Sequence, residues 1–129
     1  MTPATTLAER LDATLVNMRF VKPLDTAMLR EIASTHAGIV TIEDNAVAGG
    51  AGSACSEALD TEGLSTPRLH IGIPDRFIEH GSRDECLAAA GLDLAGIAAA
   101  IERWRAAVPA LKLTRTVTRL TAAGGVGPN

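Results

Sequence analysis

Aromatic side chains are nearly missing from this chain. Phe20, Phe77 and Trp104 are the only three in 129 residues, and there is no tyrosine. The core must therefore be aliphatic, and its many alanines each bury little apolar area. Cysteine is equally sparse. Cys55 and Cys86 stand 31 positions apart, which fits neither a CxxC redox pair nor a zinc spacing. A lone disulfide would need an oxidising compartment. No apolar leader core precedes the domain, because Ala8, Glu9 and Arg10 occupy that place. No apolar run approaches the ~18 residues of a membrane span. The expected setting is a reduced cytoplasm, without membrane. A basic excess is also lacking. Twelve Lys and Arg face fifteen Asp and Glu, for a net charge of −3. A chain with no surplus cation has little to neutralise phosphates, which argues against nucleic acid as a partner. The 47% apolar content excludes a disordered chain, and the length fits one domain rather than two.

What is present is a helix–strand alternation. Leu7 and Leu11, four apart among charges, read as an amphipathic helix. The stretch 14–20 reads as a strand that Pro23 stops. Asp25 is placed to cap a helix through Met28, Leu29 and Ile32, with Leu24 and Leu29 at staple spacing and Gly38 as its left-handed stop. Ile39-Val40-Thr41-Ile42 is a β-branched run of the kind buried on both faces of a parallel sheet. A helix from the glycine cluster to about Gly63 and a strand over 68–73 follow. Ser82 and Glu85 form a capping box. Two helices, roughly 83–90 and 94–107, are divided by Gly91 and capped by Asp93. The segment 1–108 is read as one partial domain. The segment 109–129 is read as a disordered tail, with a weak strand over 114–118.

This order predicts an α/β fold in three layers, a mostly parallel sheet flanked by helices. Three strands are few for such a sheet. The chain also enters on a helix with no strand ahead of it, so one strand is expected to be lacking and one edge left open.

Chemistry concentrates at one strand end. Gly49, Gly50 and Gly52 lie between a strand and a helix, where backbone N–H groups can approach an anion. The spacing departs from the dinucleotide fingerprint, because Cys55 stands where glycine or alanine is needed. No Lys-Ser/Thr pair follows, so it is not a P-loop. A tight turn with close helix packing explains the glycines as well. Ser53 lacks a nucleophile elbow and reads as a helix cap. Glu43 and Asn45 remain open as strand-end groups, and Asp44 reads as solvated. His70 reads as a packed strand histidine, His36 as a helix-end cation, and His80 as a loop residue beside Glu79. Nothing supplies a catalytic or metal-binding set.

Three runs in register then carry a resemblance. They are Asn17-Met18-Arg19-Phe20-Val21-Lys22-Pro23-Leu24-Asp25, the run from Val40 to Ser53 with Glu43 and its glycines, and Ile71-Gly72-Ile73-Pro74-Asp75-Arg76-Phe77-Ile78-Glu79-His80-Gly81. Over residues 7–107 the chain resembles the carboxyl-terminal domain of the 1-deoxy-D-xylulose-5-phosphate synthases, in the transketolase superfamily. The resemblance implies an enzyme that uses thiamin diphosphate and magnesium to condense pyruvate with glyceraldehyde 3-phosphate. It implies isoprenoid, thiamin and pyridoxal precursors as products, and a three-domain homodimer. The family's cofactor and substrate groups belong to its upstream domains, so no catalytic, cofactor or metal residue carries over. Glu43, Asn45, Gly49, Gly50, Gly52 and Ser53 match structural positions. The expected partner is the rest of such a synthase or a second copy, and the chain is expected to be inactive alone. From residue 110 onward no match is expected. The alternative is a stand-alone interaction module, or a small anion-binding module built on the 49–53 turn.

Overall fold

Proline and β-branched residues fix where the chain can pair, and in the computed structural model it pairs once. Residues 3–112 are described. Strand β1 (Ile39–Ala46) lies parallel to β2 (Arg68–Ile73), and helix α3 (Ala51–Thr61) is the crossover between them. Helices α1 (Pro3–Leu11) and α2 (Thr26–Thr35) precede the pair. Helices α4 (Arg83–Ala90), α5 (Leu94–Ala107) and the short α6 (Pro109–Lys112) follow it. Val40 aligns with Leu69 and Ile42 with Ile71, until an irregularity between Ile42 and Ala46 shifts the register.

The period-2 alternation of strand side chains divides the core. On one face Val40, Leu69, Ile71 and Ile73 pack against Leu7 of α1, Leu92, and Ile97 and Ile101 of α5. On the other face Ile39 meets Leu29 and Ala33 of α2 and Cys55 and Leu59 of α3. The layers are α1/α5, sheet, α2/α3, as the α/β reading expects.

The helix ends expected from residues three or four positions apart are present in the structure. The Asp25 carboxylate accepts the Met28 N–H at 2.9 Å, and Ser82 and Glu85 form the reciprocal capping box. Gly91 ends α4 with φ +74°, and Asp93 accepts the Gly96 N–H at 2.8 Å. Asp93→Ala is expected to cost about 1 kcal/mol, read as a lower denaturant midpoint with unchanged slope.

Four expectations are corrected. The stretch 14–20 forms no strand, because it lies beside neither β1 nor β2 in the ladder. Gly38 is not a left-handed stop, since α2 ends on His36 in an extended conformation. Its bare Cα instead admits Trp104 of α5, whose ring carbon would stand 2.7 Å from an added Cβ. The β1 run is not buried on both faces, as Ile42 remains 40% exposed. Finally, β1 continues to Ala46, so Glu43, Asp44 and Asn45 lie within the strand rather than after it. The expected tail begins with the helical turn of α6. The expected strand over 114–118 and the glycine-rich end lie outside the described residues. Among the described residues, no helix is long and apolar enough to cross a membrane.

Candidate functional site

One group of hydrogen-bonded polar side chains, Thr41, Glu43, Ser56 and His70, lies between the sheet and α3. Thr41 and Glu43 share the β1 face that looks toward this helix, and Thr41 stands opposite His70 on β2. Glu43 sends its carboxylate to the start of α3. It accepts the Ala51 N–H at 2.8 Å and the Gly52 N–H at 3.1 Å. The first amides of a helix have no partner within it and carry its positive dipole end. A carboxylate from the neighbouring strand satisfies two of them at once.

The glycines make room for this arrangement. Gly50 is the N-cap and is buried, and a side chain there would run into the Glu43 carboxylate and the Ala46 carbonyl oxygen. A Cβ on Gly52 would stand 2.5 Å from His70 Nδ1 and 2.6 Å from Thr41 Oγ1. Gly49 takes the left-handed φ of +74° that turns the chain. Ser53 is not the cap that its position had implied, because Gly50 holds that place and Ser53 lies in the first turn. Its hydroxyl accepts the Gly49 N–H at 3.1 Å and donates to the Val47 carbonyl at 2.9 Å, closing the turn on itself. Asn45 is exposed, with its carbonyl beneath Gly72.

This geometry argues against the anion-binding reading of the 49–53 turn. The amides that would hold a phosphate already hold an internal carboxylate, whose charge would repel a second anion. The same observation bears on thiamin diphosphate. The residues present do not form a cradle for its diphosphate. Among the described residues, no three His, Cys, Asp or Glu side chains are grouped to hold a metal ion.

His70 is packed, as its strand position implied, but with partners that spacing did not reveal. Its Nδ1 hydrogen bonds with Thr41 Oγ1 at 2.6 Å and its Nε2 with Ser56 Oγ at 2.7 Å. Burial, and then the nearby Arg68 guanidinium, hold its pKa below the usual 6.5, against a smaller opposing pull from Glu43. Arg68 itself reaches the Ser56 carbonyl and pairs with Asp60 on α3. Neither Thr41 nor Ser56 was singled out in the sequence; Thr41 shares a face with Glu43 only because β1 continues to Ala46.

The neutral imidazole is favoured in the fold, while the unfolded chain takes up its proton near pH 6.5. His70 therefore contributes stability above that pH, and the contribution is lost as pH falls toward the lower folded-state value. The thermal midpoint is expected to drop between pH 7.5 and 5.5. The drop should be smaller in His70→Gln, measured by circular dichroism. Glu62 and Glu85, whose pKa values lie below the usual 4.5 through hydrogen bonds from Arg30 and Ser82, act only at lower pH.

The remaining residues singled out in the sequence lie apart. Asp44, read as solvated, pairs with Arg83 at 2.5 Å and joins β1 to the start of α4. His36 hydrogen bonds with Thr14 Oγ1 at 2.9 Å and tethers the stretch after α1 to the end of α2. His80 is exposed in its loop. Both cysteines are free thiols. Cys55 is 1% exposed, and burial, followed by the Glu43 charge, pushes its pKa up, which disfavours the thiolate.

Comparison with known proteins agrees with the α/β fold. The family model described as transketolase, C-terminal domain, matches residues 2–97. A 1-deoxy-D-xylulose-5-phosphate synthase of Thioalkalivibrio sulfidiphilus is 64% identical over 94 residues, which is 73% of this chain and 15% of that protein. The synthase of Xanthomonas euvesicatoria is 53% identical over 122 residues, 94% of this chain and 18% of that protein. That of Ralstonia nicotianae is 56% identical over 107 residues, 83% of this chain and 17% of that protein. Two limits of the sequence reading are corrected here. The family match starts at residue 2 rather than 7. An alignment covering 94% of the chain also extends past residue 110, where no match was expected. The chain thus spans less than a fifth of the length of these relatives. On the match over residues 2–97 and these identities, the chain belongs to the transketolase C-terminal domain family.

Proposed function

We propose that this chain serves as the carboxyl-terminal packing domain of a 1-deoxy-D-xylulose-5-phosphate synthase. Its role is to complete the assembly in which pyruvate is decarboxylated and joined to glyceraldehyde 3-phosphate. The carrying observation is identity of 53–64% to proteins of that name across 73–94% of the chain. The closed turn supports a structural role, because Glu43 takes up the helix amides that a ligand would need. In such chemistry the protein must cradle the cofactor, and this chain's residues do not. Thiamin diphosphate and its metal fall to the much longer remainder of such a protein.

Two loops support packing against another domain or a second copy. Phe20 is 68% exposed and Phe77 is 93% exposed, each within a run that carried the resemblance. A partner surface that covered these two rings would remove their apolar area from water and gain the free energy of that burial. Supplied with pyruvate, glyceraldehyde 3-phosphate, thiamin diphosphate and magnesium, the purified chain is expected to release no carbon dioxide above a blank. Mixed with a synthase deleted for this domain, it is expected to restore activity at least tenfold. Turnover by the chain alone, or no restoration at saturating concentration, would refute the reading.

A further inference from the structure

Phe77 is the most exposed large apolar side chain among the described residues, at 93%. It stands in the loop 74–81 between β2 and α4. A loose loop could turn such a ring back onto the domain and bury it. This loop is fastened instead. The Arg76 N–H donates to the Pro74 carbonyl at 2.8 Å. The Arg76 guanidinium donates to the Ala89 carbonyl at 2.5 Å, in the last turn of α4, where helix carbonyls lack partners and the dipole favours a cation. The Cys86 thiol, also on α4, lies 3.7 Å from the Glu79 carbonyl and 3.6 Å from that of Gly81, and serves one or the other. The Ser82 N–H then closes the loop on the Glu85 carboxylate at 2.8 Å. The backbone is held on either side of Phe77 while its ring is held out.

Charge narrows what can cover the ring. Asp75 and Glu79 flank it, both exposed, and no ion pair among the described residues engages either carboxylate. The loop's one arginine is turned onto α4. An apolar tip between two carboxylates is repelled by a nucleic acid or an anionic lipid surface. It complements an apolar pocket whose mouth carries Lys or Arg. The relatives, of which the chain spans 15–18%, have ample length to form one.

We propose that the loop 74–81 is a preformed knob, and that Phe77 enters an apolar, cation-rimmed pocket on the remainder of the longer polypeptide to which this domain belongs. Fastening the loop to α4 removes its conformational freedom when the domain folds, so little more is lost on docking. Asp75 and Glu79 steer the approach. This inference rests on the proposed function and goes beyond it in naming the loop that docks and the chemistry of what receives it.

Two measurements test it. In the full chain alone, ¹⁵N relaxation should give the amides of residues 75–80 order parameters of about 0.85, as in β2 and α4. Values below about 0.6 would overturn the preformed knob. Binding of the full chain to the synthase deleted for this domain is then read by calorimetry. Phe77→Ala should weaken it roughly thirtyfold or more and leave the thermal midpoint of the chain unchanged. Cys86→Val with Arg76→Met frees the loop, keeps the ring and should weaken binding roughly fivefold. Asp75→Asn with Glu79→Gln should slow association roughly tenfold at low salt and little at high salt. Equal affinity of wild type and Phe77→Ala would overturn the inference and leave the proposed function standing. So would self-association of the chain that Phe77→Ala abolishes, because a second copy would then cover the ring. Absence of any binding by the wild-type chain would instead refute the proposed function, and this inference with it.

Discussion

Glu43→Ala is expected to lower the unfolding free energy by about 2 to 3 kcal/mol, a loss of roughly 10 °C in thermal midpoint for a domain of this size. The magnitude follows from what the carboxylate touches. It accepts two N–H groups at the start of α3, where the helix dipole favours a negative charge. Hydrogen bonds to a charged partner contribute about 1.5–3 kcal/mol each, and half-buried amides left without a partner add a desolvation cost. Glu43 is half-buried, so solvent screening keeps the sum toward the lower end. Glu43→Gln retains an acceptor and loses the charge, and should cost about half as much. Urea unfolding of the three proteins at one pH checks the order. Equal stability of wild type and Glu43→Ala would mean that water serves the helix start equally well.

Gly52→Ala carries the second large effect, about 2 kcal/mol of destabilisation. Alanine is the better helix former by about 1 kcal/mol, so propensity alone predicts the opposite sign. Packing decides. The added methyl would stand 2.5 Å from His70 Nδ1 and 2.6 Å from Thr41 Oγ1, and neither strand residue can withdraw without breaking their mutual hydrogen bond. Overpacking of this kind costs about 1–3 kcal/mol. The His70 ring resonances should shift with the change. Gly63→Ala is the contrast. Nothing lies within 4 Å of its missing side chain, and only its φ of +70° resists substitution. It should cost about 1 kcal/mol, with the His70 resonances unmoved.

These two sites also show how far the sequence could be read. Helix limits and caps at Asp25, Ser82, Gly91 and Asp93 were legible because each depends on residues three or four positions away. The glycine cluster was legible as a strand-to-helix turn for the same reason. Its occupant was not. Glu43 lies eight positions before Ala51, and only the register of β1 against α3 brings its carboxylate to the helix amides. Ser56 and His70 are fourteen apart and meet only once β2 is laid beside β1. The stretch 14–20 has the alternation of a strand, but alternation states which side chains share a face and not whether a neighbouring strand exists. Ser53 was misread for a smaller reason. The helix begins three residues earlier than a serine cap would place it, because a glycine cap and a distant carboxylate do the work of a capping side chain.

The account stands on a turn that is filled from within. Its most direct test is a ¹⁵N NMR titration of the full chain with thiamin diphosphate and magnesium, following the Ala51 and Gly52 amides. No saturable shift is predicted at millimolar cofactor, in wild type or in the presence of pyruvate. A saturable shift of these two amides, with displacement of the Glu43 carboxylate, would contradict the account and make the turn a ligand site.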